Sequence, residues 1–276
     1  MGRGEGRVGW GGSAGGTTVD GVDEQPSAAG LRWIGHATAE IDVGGYRILT
    51  DPLLRRRVAH LRRRRPLPRR DPESTGVVLL SHAHIDHMHV PSLRLISDGV
   101  PVVAPAGTRS LLKRAGFEHV VEVTEGDEVE VGPMRLRVTH AEHKSGRGPH
   151  SRIDARPVGY VAEVGGFRTY FAGDTDLFDD MADLGTIDLA LLPIWGWGPT
   201  IGVGHLDPER AVEAVDRIAP TTVVPIHWGT YAPENARPGQ PAWLDRPARE
   251  FARLMERSPH RSAAAILEPG DSLPLR

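Results

Sequence analysis

The sequence predicts an α/β (α+β) chain folded as a four-layer αββα sandwich, and three observations carry that prediction. Apolar runs of strand length recur in both halves, separated by Gly-Gly, Gly-Asp and Gly-Pro turns. Segments with an apolar helical stripe follow several of those runs, so strands precede helices in each half in a similar order, without a repeat of fixed period. Side chains able to bind cations gather where the strands end.

In chain order, residues 1–29 form a Gly-rich tail with Val8, Trp10, Val19 and Val22 as their sizeable apolar groups. Such a segment cannot offset its ordering entropy, so it is expected to be disordered, with the folded domain spanning 30–276. Residues 31–38, 39–43 and 46–50 read as strands, the last two joined by Gly44-Gly45. Pro52 ends the third, because proline removes a ladder donor. A basic segment follows, Arg55 to Arg70, with Pro66 and Pro68 inside it. It reads either as a solvated loop whose charges balance acidic patches or as a phosphate-attracting rim.

Val77, Val78, Leu79 and Leu80 are continuously apolar, as a strand buried on both faces requires. This run delivers Ser81-His82-Ala83-His84-Ile85-Asp86-His87-Met88-His89, and Pro91-Ser92 then opens a helix carrying Leu93, Leu95 and Ile96. Residues 100–104 read as a strand and 107–115 as a helix closed by Gly116. Strands follow at 120–123, 128–131 and 134–139, then a hairpin at 159–164 and 167–171 turning on Gly165-Gly166. Residues 187–192 form another strand. Asp207 and Pro208 start a helix with a stripe of Ala211, Val212, Ala214, Val215 and Ile218. Residues 222–226 are a strand, 241–257 an amphipathic helix and 263–267 a final strand.

At 276 residues with 33 basic and 36 acidic side chains, the chain carries a formal charge of -3, which gives no general attraction to nucleic acid. There is no cysteine, so a metal here is held by nitrogen and oxygen donors. No apolar run is long enough to cross a bilayer, and the N-terminus lacks the apolar core of a secretory signal. A cytoplasmic protein is expected.

Four strand ends carry metal-competent groups: His82, His84, Asp86 and His87; His140 or His143; Asp174; and His227. Imidazole and carboxylate together suit zinc, manganese or iron. The spacing HxHxDH resembles the metallo-β-lactamase superfamily. Trp33-Ile34-Gly35-His36-Ala37-Thr38, Thr50-Asp51-Pro52, Gly173-Asp174-Thr175, His205-Leu206-Asp207-Pro208-Glu209 and His227-Trp228-Gly229-Thr230 resemble its branch containing N-acyl-phosphatidylethanolamine phospholipase D and ascorbate-6-phosphate lactonase.

The resemblance implies two divalent ions, Zn2+ or alternatively Mn2+. His82, His84 and His143 would hold the first, Asp86, His87 and His227 the second, and Asp174 would bridge them. His143 is preferred to His140 because Ala141-Glu142-His143 with the trailing Arg147 is similar to the branch's pattern. Asp51 would orient a ligating imidazole, Asp86 would relay a proton, and His205 would project into the substrate pocket or serve as a hydrogen-bonded structural histidine. Trp195, Trp197, Trp228 and Tyr231 are expected to shape that pocket. His36, His60, His89, His119, His150 and His260 read as structural or surface residues.

The activity so implied is hydrolysis by a metal-bridging hydroxide, acting on a phosphodiester or phosphorylated small molecule, lipid-derived substrates included. A lactone or ester hydrolase of the same fold is the alternative. A non-catalytic, metal-stabilised scaffold binding polyanions through the arginine segment is a third reading.

Overall fold

The computed structural model describes residues 29–71, 74–97, 99–148, 151–236 and 243–275. Apart from Ala29, the segment expected to be a disordered tail lies outside them, as does His150.

The first half forms a seven-stranded sheet. Its strands are β1 (Ala29–Gly35), β2 (Thr38–Val43), β3 (Tyr46–Thr50), β6 (Val77–Leu79), β7 (Val102–Pro105) and β8 (Val120–Val123), with β16 (Ser272–Leu275) on the outer edge beside β1. The second half forms a six-stranded sheet from β9 (Glu128–Val131), β10 (Met134–Thr139), β11 (Gly159–Val164), β12 (Phe167–Phe171), β13 (Leu189–Pro193) and β14 (Thr222–Ile226). In each sheet antiparallel pairing gives way to parallel pairing, at β3–β6 in the first and β12–β13 in the second. Parallel neighbours need crossovers, and the crossovers put helices on the outer faces.

Alternation along β6 shows how the layers assemble. Val77 and Leu79 face the second sheet, in a core shared with Leu136, Val138, Tyr160 and Leu191. Val78 and Leu80 face the other way, onto Leu93 of α1 (Val90–Leu93) and Leu112 of α2 (Arg109–Ala115). On the far side of the second sheet lie α3 (Pro208–Ile218), through Ala211, Ala214, Val215 and Ile218, and α4 (Arg246–Met255), through Phe251 and Met255. Helix, sheet, sheet, helix is the expected order. α3 starts where its caps dictate: the Asp207 carboxylate accepts the Arg210 backbone N–H at 2.9 Å, and Pro208 needs no partner at the first position.

Three expectations are corrected. The arginine segment is not a plain loop. It contributes β4 (Arg57–Val58) and β5 (Leu61–Arg63) to a small sheet with β15 (Tyr231–Pro233), because Val58, Leu61 and Tyr231 bury together with Leu53. The strand expected at 263–267 is a 3-10 turn, Arg261–Ala263, followed by extended chain touching β14 through one parallel bridge, Val223 to Ala264. The last strand is β16, further on. The helix after Pro91 is a single turn, which leaves Leu95 exposed instead of on an apolar face.

One glycine positions the site directly. Gly173 sits at φ 62°, and a Cβ there would lie 2.4 Å from Ser81 Cβ and 2.8 Å from Ser81 Oγ. Left-handed backbone costs other residues about 1–2 kcal/mol, and overpacking adds about 1–3 kcal/mol. Gly173→Ala is therefore expected to destabilise the protein by about 2–5 kcal/mol, read as a lower midpoint in urea unfolding at unchanged slope.

Candidate metal centre

Five chain segments end on one point between the sheets. β6 delivers His82 to His87, β10 delivers His143, β12 delivers Asp174, β14 delivers His227 and β3 delivers Asp51. Strands running in the same direction into a shared edge put their C-terminal loops side by side, which explains how residues from 51 to 227 meet.

Two sets of donors face inward. His82 Nε2 lies 2.9 Å from His84 Nδ1, and His143 Nε2 lies 3.2 Å from the same atom. His87 Nε2 and His227 Nε2 are 3.2 Å apart, and Asp86 Oδ2 is 3.8 Å from His87 Nε2. Asp174 stands between the sets: its Oδ2 is 3.2 Å from His87 Nε2 and 4.0 Å from His82 Nε2, and its Oδ1 is 3.3 Å from His227 Nε2.

The outward ring nitrogens determine what the inward ones can do. His87 Nδ1 meets Asp51 Oδ2 at 2.7 Å, His143 Nδ1 meets the Gly204 carbonyl at 2.6 Å, and His227 Nδ1 meets the Trp195 carbonyl at 2.6 Å. Ser81 Oγ donates to Asp51 at 2.5 Å and so accepts from His82 Nδ1 at 2.8 Å. Each acceptor fixes the proton on Nδ1, which leaves Nε2 with a bare lone pair aimed at its neighbours. Four converging lone pairs and a buried Asp174 Oδ1 without a hydrogen-bond partner fit divalent cations, which accept from all of them at once. Among the described residues, His82, His84 and His143 form one group close enough for a single ion, and Asp86, His87 and His227 fall in a second that also contains His36.

Titration follows the same logic. Burial, reinforced by the neighbouring His87, drives the His82 imidazole well below its ordinary value and brings His84 down to about 4, so both stay neutral at pH 7. Burial likewise lowers His143 and His227. Burial opposes charge on Asp174, yet His227 and His87 hold its carboxyl well below the usual range. His87 goes the other way: burial disfavours its charge, but Asp174 and Asp86 outweigh that and raise it well above normal. That extra proton sits on Nε2, where a cation would displace it and leave the lone pair to bind.

The site opens on a cleft of about 470 Å3, lined on one side by Ile85, Asp86 and Arg147 and on the other by Trp197, Ile201 and His205. His205 Nε2 is 3.5 Å from Asp174 Oδ2, so this histidine does reach the centre. Arg147 is fixed by bonds from Nη1 to the carbonyls of Ala83 and Met88, at 3.0 and 2.9 Å.

Other residues fall elsewhere. His140 turns away, its nitrogens on Glu125 and Glu142 at 2.9 and 3.3 Å. Trp228 packs on Trp33 in the core and the Tyr231 hydroxyl donates to the Arg55 carbonyl, so neither lines the cleft. His89 bonds Ser92 Oγ at 2.7 Å. Three arginines of the basic segment pair with carboxylates: Arg57 with Glu234, Arg65 with Asp245 at 2.7 Å and Arg70 with Glu40 at 2.6 Å. None of its arginines lines the cleft. One residue read as structural belongs to the centre after all: His36 Nε2 is 3.1 Å from Asp86 Oδ2. Its place in the Trp-Ile-Gly-His-Ala motif was the available signal.

Comparison with known proteins places the chain in a family. Residues 46–228 match the β-lactamase superfamily domain. A protein of Thermococcus onnurineus named as a UPF0173 metal-dependent hydrolase is 33% identical over 257 residues, covering 89% of this chain and 99% of that protein. Among solved structures, a metallo hydrolase from the archaeon Ignicoccus hospitalis is similar in fold, with a TM-score of 0.64 at 22% identity over 91% of this chain and 99% of its own. An isothiocyanate hydrolase from Delia radicum gut bacteria is similar too, with a TM-score of 0.66 at 18% identity, covering 89% of this chain and 99% of its own.

Proposed function

The chain belongs to the β-lactamase superfamily, and on that premise we propose that residues 30–276 form one hydrolase domain whose seven donors, His82, His84, Asp86, His87, His143, Asp174 and His227, hold two divalent ions. The protein is a metal-dependent hydrolase of this fold. The observation that carries the site is the convergence of two donor triads on Asp174, with His82, His87, His143 and His227 each held by an outward hydrogen bond at Nδ1. We assign zinc to it, with manganese as the alternative, since neither requires a sulfur ligand.

When bound, the ions supply Lewis acidity, making water a competent nucleophile near neutral pH and offsetting negative charge on the substrate. The chain's residues do the rest. Asp51 and Ser81 hold His87 and His82 in one tautomer. Asp86, the most accessible carboxylate of the set with a side chain 15% exposed, takes the proton that water gives up. His205, between Asp174 and the cleft, passes a proton to the leaving group. His205→Ala is expected to lower kcat by about a hundredfold, the usual range for a lost proton donor, with metal content unchanged. Equal loss of metal would assign it to binding instead.

For the substrate we propose a phosphodiester or phosphorylated small molecule, because Arg147 presents a fixed cation beside the donors. A lactone or ester is the second reading, favoured by the absence of any arginine of the basic segment from the lining of the cleft. The branch shared with the phospholipase and the lactonase stays part of this proposal. No helix among the described residues is long and apolar enough to cross a membrane, and we place the enzyme in the cytoplasm. The test is hydrolysis of aryl phosphodiesters, lactones and acyl esters by zinc- and manganese-loaded protein. Turnover of the phosphodiester lost in Arg147→Ala supports the first reading, and turnover of lactone alone overturns it in favour of the second.

A further inference from the structure

His36 lies outside both triads, and no step above uses it. Its side chain is buried, and its backbone takes the left-handed conformation, φ 57°, at the turn between β1 and β2. That turn is packed tightly: a Cβ on the preceding Gly35 would lie 2.9 Å from the Arg63 guanidinium and from the Thr230 side chain. The His36 N–H donates to Thr230 Oγ1 at 2.8 Å, and its carbonyl accepts the His227 N–H at 2.9 Å. Its ring lies 4.0 Å, centroid to centroid, from that of His227, and its Nε2 reaches Asp86 Oδ2. One residue thus touches Asp86, which comes from the first sheet, and His227, which comes from the second.

Asp86 needs such a contact. It sits on an exposed turn beside Ile85, and among the described residues its carboxylate receives no other hydrogen bond. We infer that His36 is a positioning residue for the second cation: its Nε2–H donates to Asp86 and sets the carboxylate's orientation, while its backbone holds the His227 loop in register. This rests on the reading of the two triads as a two-cation site.

The test separates the side-chain role from the backbone role. Asparagine tolerates left-handed backbone but is too short to reach Asp86, whereas the glutamine amide has nearly the reach of Nε2. Zinc affinities of wild type, His36→Asn and His36→Gln are measured by chelator competition, with the cobalt absorption spectrum as a second readout. Wild type is expected to take two ions. His36→Asn should keep the first affinity and lose about 10–100-fold on the second, the usual effect of removing a group that orients a ligand. His36→Gln should recover most of that loss.

Unchanged titration of His36→Asn overturns the inference, and so does a glutamine variant as weak as the asparagine one, which would make His36 itself a ligand. Should the variants fold poorly, 15N spectra of the zinc-loaded wild type decide: a protonated His36 Nε2 supports the inference and an unprotonated one overturns it. Fewer than two ions in wild type would overturn the two-cation reading and this inference with it, a result distinct from an insensitive His36→Asn.

Discussion

Asp174→Asn is expected to lower hydrolysis by about a thousandfold while leaving the fold intact. Asparagine preserves the volume at a fully buried position, so no cavity forms. What it removes is the charge that stands 3.2 Å from His87 and 3.3 Å from His227. Its amide NH2 would also donate to the imidazole lone pairs that the cations need, and so compete with them. Loss of one preorganised electrostatic group typically costs 10²–10³ in rate, and a group between both triads belongs at the upper end. The check is kcat/KM beside a thermal melt. A variant with more than a third of wild-type activity and a normal melt would remove Asp174 from the centre.

Stripping the ions with a chelator is expected to abolish hydrolysis and to lower Tm by about 8 °C, with both restored by added zinc or manganese. The stability arm follows from linkage. Ions that bind only the native protein stabilise it by RT ln(1 + [L]/Kd), about 4 kcal/mol at a thousandfold excess over Kd, and for a chain of this size each kcal/mol moves Tm by about 2 °C. The sign also follows from the site itself. Without ions, Asp174 and Asp86 favour a proton on the buried His87, a charge that bound cations would replace. Differential scanning calorimetry with and without chelator reads the shift, and an unchanged Tm together with undiminished activity would contradict it.

The strands legible in the sequence were those bounded by strong turns. Gly132-Pro133 and Gly165-Gly166 mark β10, β11 and β12 to the residue, because a turn fixes both neighbours at once. What escaped depended on partners far along the chain. β16 has only Leu273 and Leu275 partly buried and contains Pro274, so nothing local separates it from loop; it is a strand because β1 offers a free edge. The small sheet of the arginine segment escaped for the same reason, since Leu61 to Arg63 pair with residues 231–233.

The candidate site divides similarly. The HxHxDH run and the later strand ends pointed to the proposed donors without the structure, because each carries its chemistry in its own identity. His36 was marked only by its place in the Trp-Ile-Gly-His-Ala motif, and its contacts with Asp86 and His227 appear once the two sheets are assembled. The choice of His143 over His140 came from resemblance, and the fold gives it a physical reason: residue 140 faces the outer wall, where Glu125 and Glu142 hold it.

The central claim, two divalent ions shared across Asp174, is tested most directly by anomalous diffraction from crystals of zinc-loaded protein, recorded at the zinc edge. Two peaks are expected, one among His82, His84 and His143 and one among Asp86, His87 and His227, both beside the Asp174 carboxylate. A single peak, or zinc bound away from these residues, would contradict the account.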